Sequence, residues 1–202
     1  MLSVIKRHRS MSRGFTLIEM LVVLTIAVIL LAIGIPNMTN LFQTNRLATT
    51  TNELVATLNL ARSEAIRRGA SVVMLSTAGA RNWGGGWSMF VDLDGNNVRD
   101  TSLGSLEDEI RRGNTITAPA TIVSSAGYAT VVQFDGQGRM AGAGPGLFLI
   151  CDDGVNVVVD GQSRARAVII GATGRVRVAA NNASQQPLND AGAAITSCSN
   201  PS

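Results

Sequence analysis

The sequence has few of the side chains that enzymes use for catalysis. Its 202 residues include a single histidine, His8, and two cysteines, Cys151 and Cys198, and neither cysteine has a base partner in the sequence pattern. Nucleophilic and general acid–base catalysis need such groups within hydrogen-bond reach of each other. We therefore predict that the protein is not an enzyme and that it has no catalytic residues and no cofactor.

The two cysteines also lack the close spacing of a metal-binding or redox motif. In an oxidising compartment, a disulfide between Cys151 and Cys198 would tie the C-terminal tail to a strand. The alternative is a pair of reduced thiols, one buried and one in the tail. We expect the disulfide.

A second possible metal motif is a run of alternating polar residues, Asp92, Asp94, Asn96 and Asp100. In a calcium-binding loop the sixth position is glycine and the twelfth is a bidentate glutamate. This chain has Asn97 and Leu103 at those positions. The pattern therefore favours a hairpin tip, and we predict no metal site.

Charged residues are also scarce, at 15% of the chain, and the net charge of +3 is concentrated at the start. Lys6, Arg7, Arg9 and Arg13 all precede Gly14, and the rest of the chain has 13 basic residues, all arginine, against 14 acids. The chain after Gly14 is therefore nearly neutral. Only a local cluster of arginines could indicate an acidic partner.

Residues 15–35 form a long apolar run, broken only by Thr16, Glu19, Thr25 and Gly34. At 1.5 Å per residue, this run spans a bilayer of about 30 Å and predicts a transmembrane helix. The basic residues before it place the N-terminus in the cytoplasm and the remainder outside. A signal peptide is the alternative, but its apolar core is only about 7–15 residues long and ends in a small-residue cleavage site, which this run lacks.

Residues 14–19, with the sequence GFTLIE, resemble the cleavage and methylation signal of type IV prepilins and pseudopilins. The resemblance implies that a prepilin peptidase removes a leader, residues 1–14, by cutting after Gly14, and methylates the new amine of Phe15. It also implies that Glu19 pairs with an N-terminal amine during assembly. Such pairing is physically reasonable, because a carboxylate inside a membrane is costly without a cation. For Glu19, the alternative is that it belongs to a plain membrane anchor. For the leader, the alternative is that translation starts at Met11, which would shorten the leader to four residues.

A helical pattern resumes after Pro36, so residues 36–68 are predicted to continue the helix as an amphipathic segment that ends near Gly69. The alternative is two helices hinged at Pro36. Residues 69–202 change to β-type runs separated by turn signals, at 71–76, 87–91, 130–134, 147–151, 155–159, 165–170 and 175–179. We predict an α+β fold, with a long N-terminal helix packed on a mainly antiparallel sheet, and with Trp83 and Trp87 in the core.

Several segments resemble the GspH/FimT family of minor pilins and pseudopilins. These are residues 53–69, Asn82-Trp83, the strand at 86–92, and Gly174-Arg175-Val176-Arg177. The resemblance implies a type IV pilin-like fold. Within that family, FimT-like members are associated with DNA binding through a Gly-Arg-x-Arg motif, which implies that Gly174, Arg175 and Arg177 bind DNA here.

The pattern of arginines near the C-terminus fits this implication. Residues two apart in a strand share a face, so Arg175 and Arg177 could grip successive phosphates. Arg164 and Arg166 repeat the spacing one strand earlier, and Asp190 is the only acid among residues 161–202. The alternative is that these arginines only solvate an edge strand and keep it from pairing with other chains.

The combined hypothesis is a minor pilin of a type IV pilus, anchored once in the bacterial inner membrane with residues 69–202 in the periplasm. Its expected partners are prepilin peptidase, other major and minor pilins, and DNA taken up in natural transformation. The alternatives are a tip or priming subunit that does not bind DNA, and a GspH-like pseudopilin of type II secretion.

Overall fold

The computed structural model describes residues 14–102, 107–142, 144–199 and 201. The predicted leader lies outside this described part, except for Gly14. The chain forms two compact units, Met1–Phe42 and Gln43–Ser202. The boundary falls inside the segment 36–68, so the last part of the predicted helix belongs to the second unit.

One α-helix, α1, runs without interruption over Leu17–Arg68. Thr16 caps its start, because the hydroxyl oxygen of Thr16 accepts a hydrogen bond from the backbone N–H of Glu19 at 3.2 Å. The helix passes through position 36, so the prediction of one helix rather than two is confirmed.

The helix ends in a left-handed turn at Gly69, whose φ is +62°. The backbone N–H of Ala70 donates to the carbonyl of Ala65 at 3.3 Å, which is the longer hydrogen bond of a Schellman motif. A glycine is needed at this position because other residues rarely adopt a positive φ.

The part of α1 in the first unit is long and apolar enough to cross a membrane, judged by length and composition. Its most apolar 18 residues have a mean hydropathy of 2.8, and none of them is buried inside the structure. Leu17, Leu24 and Leu30 are each more than 60% exposed. A surface of this kind is stable only against lipid or other apolar helices.

Ten β-strands follow the helix in the described part of the chain. They are β1 (Ser71–Ser76), β2 (Trp87–Asp92), β3 (Glu109–Gly113), β4 (Thr121–Ser124), β5 (Val131–Phe134), β6 (Gly146–Cys151), β7 (Val158–Val159), β8 (Gln162–Ser163), β9 (Ala165–Ile170) and β10 (Val176–Val178). Sheet A has the order β3-β2-β1-β5, sheet B has the order β10-β9-β6-β4, and β7 and β8 form a separate hairpin. All of these pairings are antiparallel. The predicted α+β fold is confirmed.

The second half of α1 packs on both sheets through the apolar face that its periodicity predicts. The residues of this face are all at most 5% exposed: Leu47, Leu54, Leu58, Ala61 and Ala65. They join one buried cluster with Met74 of sheet A and Phe148 of sheet B. The helix therefore shares one buried core with both sheets.

Sheet B is covered on both faces. On one face, which we call the helix-side face, Phe148, Ile150, Val168 and Ile170 pack in the cluster that contains α1. On the opposite face, which we call the tail-side face, the strands pack against the C-terminal tail in a cluster of Leu147, Leu149, Ala167, Ile169, Ile195 and Cys198. Side chains alternate between the two faces along each strand, which fixes where each arginine of this sheet points.

Both tryptophans lie in the core, as predicted. Trp83 is 1% exposed and Trp87 is 6% exposed. The Trp83 indole N–H donates to the carbonyl of Tyr128 at 2.9 Å, and its ring meets the ring of Phe148 edge-on at 5.1 Å. A buried indole needs such an acceptor, so the local packing satisfies both its apolar and its polar parts.

The sequence pattern misses β3, β4 and β8. The strand β3 has the sequence EIRRG, whose charges do not alternate with apolar residues, because it is an edge strand with exposed Arg111 and Arg112. The strands β4 and β8 have only four and two residues. The run predicted at 155–159 is in fact a strand of two residues, Val158–Val159.

Candidate functional site

The first candidate site is the start of α1, where Phe15 and Glu19 lie. Phe15 is 76% exposed, and Glu19, in the first turn of the helix, is also exposed. No cation lies within ion-pair distance of Glu19 among residues 14–102, 107–142, 144–199 and 201. The exposed carboxylate is therefore available to a group from outside this unit.

The second candidate site is the arginine motif at the start of β10. Arg177 lies opposite Ile169 in the β9–β10 register, so its side chain is on the tail-side face of sheet B. Arg175 precedes the strand, and its side chain is exposed. Arg177 is 46% exposed and forms an ion pair of 2.6 Å with Asp190 of the tail. The described residues offer no such partner to Arg175.

Gly174 is the part of this motif that the fold requires. Its φ is +77°, its backbone N–H donates to the carbonyl of Gly171 at 2.8 Å, and it is buried. A Cβ atom at this position would collide with the carbonyl oxygen of Gly138, which belongs to the loop after β5. The glycine therefore allows the turn before Arg175 to pack directly on a neighbouring loop.

Arg62 of α1 holds these two loops together, a function that the sequence pattern did not suggest. Its Nε donates to the carbonyl of Gly138 at 2.8 Å, and its terminal nitrogen donates to the carbonyl of Thr173 at 3.2 Å. Hydrogen bonds from a charged group are stronger than neutral ones. The helix therefore positions the turn that carries the arginine motif.

The structure separates Arg166 from the pair on β10. Arg166 lies opposite Ile150 in the β6–β9 register, and Ile150 belongs to the helix-side face. Arg166 therefore points to the face opposite Arg177. The register therefore does not bring Arg166 and Arg177 together on one face of the sheet.

The structure places most of the Arg164 side chain inside the fold. Its side chain is only 13% exposed, it lies 3.9 Å from a carboxylate oxygen of Asp152, and it contacts the Gln43 side-chain oxygen. The strand β9 begins only at Ala165, so the alternation used in the prediction does not apply. Arg164 therefore exposes less of its charge than Arg175 and Arg177 do, and its contact with DNA stays a prediction.

Asp152 explains why two arginines gather at this point. It is 2% exposed, and Arg46 of α1 donates to its carboxylate and, at 3.1 Å, to its backbone carbonyl. A buried carboxylate is costly unless it is paired and hydrogen-bonded. Arg46 and Arg164 supply that pairing and fasten the second half of α1 to the end of β6.

The predicted disulfide is formed in the structure between Cys151 and Cys198. Cys151 ends β6, and Cys198 is buried with Ile195 on the tail-side face. The tail turns back on itself between the Leu188 and Ala194 bridge residues, and Asp190 lies in that turn. The anchored tail thus places Asp190 beside Arg177.

The acidic loop after β2 does contain a group that could hold a cation. Ligand oxygens of Asp92, Asp94 and Glu107 all lie within 4.8 Å of one another. Burial raises the pKa of Asp92, although backbone N–H groups of Asn97 and Gly95 act in the opposite direction. The sequence pattern missed Glu107 because this residue lies 15 positions after Asp92 in the chain and is brought to the loop only by the fold.

Comparison with known proteins identifies the family. A model of the family described as type II transport protein GspH matches residues 50–174, more than half of the chain. The chain belongs to the GspH family. A model of the prokaryotic N-terminal methylation motif matches residues 9–35, which include Gly14, Phe15 and Glu19. The resemblance inferred from the sequence is confirmed.

Two crystal structures of the type IV minor pilin FimU of Pseudomonas aeruginosa share the fold of this GspH-family chain. One is 24% identical, with a TM-score of 0.52, and the match covers 75% of this chain and 99% of FimU. The other is 23% identical, with a TM-score of 0.53, and the match covers 77% of this chain and 96% of FimU. No curated protein matches the chain. The family and the fold together support the role of a type IV minor pilin or pseudopilin, whose partners are other pilins.

Proposed function

We propose that this GspH-family protein is a minor pilin of a type IV pilus that also binds DNA. The proposal includes cleavage by prepilin peptidase after Gly14, insertion of α1 into the inner membrane, and a periplasmic second unit. It assigns no catalytic activity to the chain. The observation that carries the DNA-binding part is the exposed pair Arg175 and Arg177, which directly follow a turn held by the fold.

The assembly part depends on the exposed carboxylate of Glu19. A carboxylate within an apolar helix surface gains most from a cation that arrives with a neighbouring subunit, and the amine of a cleaved Phe15 is such a cation. The match of the N-terminal methylation motif to residues 9–35 supports this assignment. Each new subunit would then take its register from this ion pair.

The assembly part is tested by Glu19→Val. We expect the variant to insert into the membrane as wild type does and to be lost from sheared filaments, because only the ion pair is removed. Thr25→Val is the matched control, since it also replaces a polar side chain of the same helix by valine. Normal incorporation of Glu19→Val would remove the proposed function of this residue.

The DNA-binding part depends on backbone contacts rather than base recognition. Two guanidinium groups near one turn can contact phosphates, and such binding is salt-sensitive and has little sequence preference. No aromatic ring is exposed on sheet B among the described residues, so base stacking has no platform there. We expect modest affinity that falls steeply as salt rises.

A gel-shift titration of residues 43–202 at rising salt tests this part. Arg175→Gln combined with Arg177→Gln should weaken binding at least about tenfold and lower the salt slope by about 2, because two phosphate contacts are lost. The matched control is the double change Arg111→Gln and Arg112→Gln, which removes the same charge from sheet A. If both double variants weaken binding equally, the arginine motif is not the site.

The second candidate function is a pseudopilin of type II secretion, and the description of the matched family favours it. Deleting the gene distinguishes the two. A pilus subunit that binds DNA should be required for transformation with normal secretion of exoproteins. A secretion pseudopilin should give the reverse result. A tip or priming subunit should give lost piliation on deletion, and its isolated second unit should show no DNA binding in the gel shift.

A further inference from the structure

Arg166 lies in a groove on the helix-side edge of sheet B, away from the arginine motif. The groove has a volume of about 350 Å³ and is formed where α1, the β7–β8 hairpin and the chain after β10 meet. Its walls include Thr44 and Leu47 of α1, and Val178 and Ala179 at the end of β10. The remaining walls are polar and uncharged: Gln162, Ser163, Asn181 and Gln185.

The charge of Arg166 is not balanced within the described part of the chain. The side chain is partly buried, and the described residues provide it with no hydrogen bond and no ion pair. No carboxylate lines the groove. Arg46 and Arg164, on the same side of the fold, are both paired with Asp152. A partly desolvated guanidinium without an acceptor is unfavourable, so the groove is suited to an anion.

The mixed lining indicates what kind of anion fits. The Leu47 and Val178 side chains give an apolar wall, and Val178 is 43% exposed. The side-chain amides of Gln162, Asn181 and Gln185 can donate hydrogen bonds to an oxyanion, whereas the Ser163 hydroxyl already donates to the carbonyl of Ala165 at 2.9 Å. A glutamate or aspartate side chain combines an apolar stem with a carboxylate, so it matches both walls.

A phosphate of duplex DNA fits this place less well. The groove is concave, and Arg166 projects from the face of sheet B opposite Arg177, so one straight duplex cannot follow both. The groove also adjoins Thr44 and Leu47, at the first turns of the second unit. In the proposed filament, the proteins brought against this unit are other pilin subunits.

We propose that this groove receives an acidic side chain of a neighbouring pilin subunit, with Arg166 as its counter-ion. The proposal rests on the proposed assembly into a filament and names the chemistry of one contact in it. It assigns to Arg166 a protein-binding function separate from the DNA-binding function of Arg175 and Arg177.

Binding of an acidic side chain to the groove is tested with a small glutamate compound, added to the full chain in detergent micelles. The probe is N-acetylglutamate methylamide, followed by NMR through the backbone amides of Gln162, Ser163 and Val178. We expect these resonances to shift with the glutamate compound, to stay fixed with its glutamine analogue, and to stay fixed in Arg166→Gln. Equal shifts with both compounds, or none with either, would overturn the proposal.

Function in the filament is tested by comparing Arg166→Gln with Arg175→Gln. We expect Arg166→Gln to reduce the amount of protein in sheared filaments at least severalfold and to leave the DNA affinity unchanged. We expect Arg175→Gln to weaken DNA binding and to leave the amount of protein in filaments unchanged. If Arg166→Gln weakens DNA binding as much as Arg175→Gln does, the groove binds DNA phosphate and the proposal is wrong. Normal incorporation of Arg166→Gln would also refute it.

A second variant shows whether the loss of Arg166→Gln from filaments could come only from misfolding. Val178→Tyr keeps Arg166 but fills the groove from its exposed wall, so it should also reduce incorporation with an unchanged melting temperature. Normal incorporation of Val178→Tyr contradicts the proposal. The NMR titration needs no filament, so its outcome can be told apart from a failure of the proposed assembly itself.

Discussion

Replacing Gly174 by alanine tests whether the arginine turn is fixed by close packing. The positive φ of +77° costs alanine about 1–2 kcal/mol relative to glycine. The added Cβ also collides with the carbonyl oxygen of Gly138, a backbone atom that Arg62 holds at 2.8 Å. Forcing an extra carbon into a packed site costs about 1–3 kcal/mol. We therefore expect the free energy of unfolding to fall by about 2–5 kcal/mol.

The assay is thermal unfolding of residues 43–202, followed by circular dichroism. For a domain of this size each kcal/mol lowers the melting temperature by roughly 2–4 °C, so the middle of the range corresponds to a decrease of about 10 °C. Gly192→Ala is the matched control, because Gly192 has a φ of +80° but no atom within 4 Å of the added carbon. The control should lose only about 1–2 kcal/mol.

The comparison between these two variants isolates the collision with Gly138. If Gly174→Ala is no more destabilising than Gly192→Ala, the turn is free to move away and the packing argument is refuted. If the larger loss is found, the glycine of the motif is explained by structure alone. The DNA affinity of Gly174→Ala, measured below its melting temperature, then shows how far the arginines depend on the turn.

Three further changes give sharp expectations. Arg62→Met loses two hydrogen bonds to loop carbonyls and should reduce the free energy of unfolding by about 1–3 kcal/mol, measured by urea titration. Asp190→Asn releases Arg177 from its ion pair and should tighten DNA binding about twofold to fivefold in the gel-shift assay. Cys198→Ser opens a link to Cys151 across 47 residues and should cost about 2–4 kcal/mol by the same urea titration.

The sequence was sufficient for the parts of the fold that have strong periodicity. The apolar face from Leu47 to Ala65 and the stop at Gly69 follow directly from helical spacing and from the need for a positive φ. The strand β3 was not predictable, because an edge strand rich in arginine has neither alternation nor apolar character. Its position depends on pairing with β2, which is a tertiary contact.

The arginine site was predictable only in part, for a reason of register. Alternation correctly separates Val176 from Arg177, since the first packs towards the helix and the second does not. It cannot relate β9 to β10, because the turn between Ile170 and Val176 sets which residues lie opposite each other. A shift by one residue would have put Arg166 and Arg177 on the same face. That information lies in the geometry of the turn, not in the spacing of the arginines.

The two faces of sheet B therefore give the chain two different electrostatic surfaces. On the tail-side face, Asp190 partly neutralises the charge of Arg177 through their ion pair, and the disulfide-anchored tail keeps Asp190 in place. On the helix-side face, Arg166 has no such acid among the described residues, while Asp152 balances Arg46 and its neighbour Arg164. A ligand of the first face must compete with a carboxylate, and a ligand of the second face must bring one. Changes at Asp190 should therefore alter DNA binding alone, and changes at Arg166 should alter assembly alone.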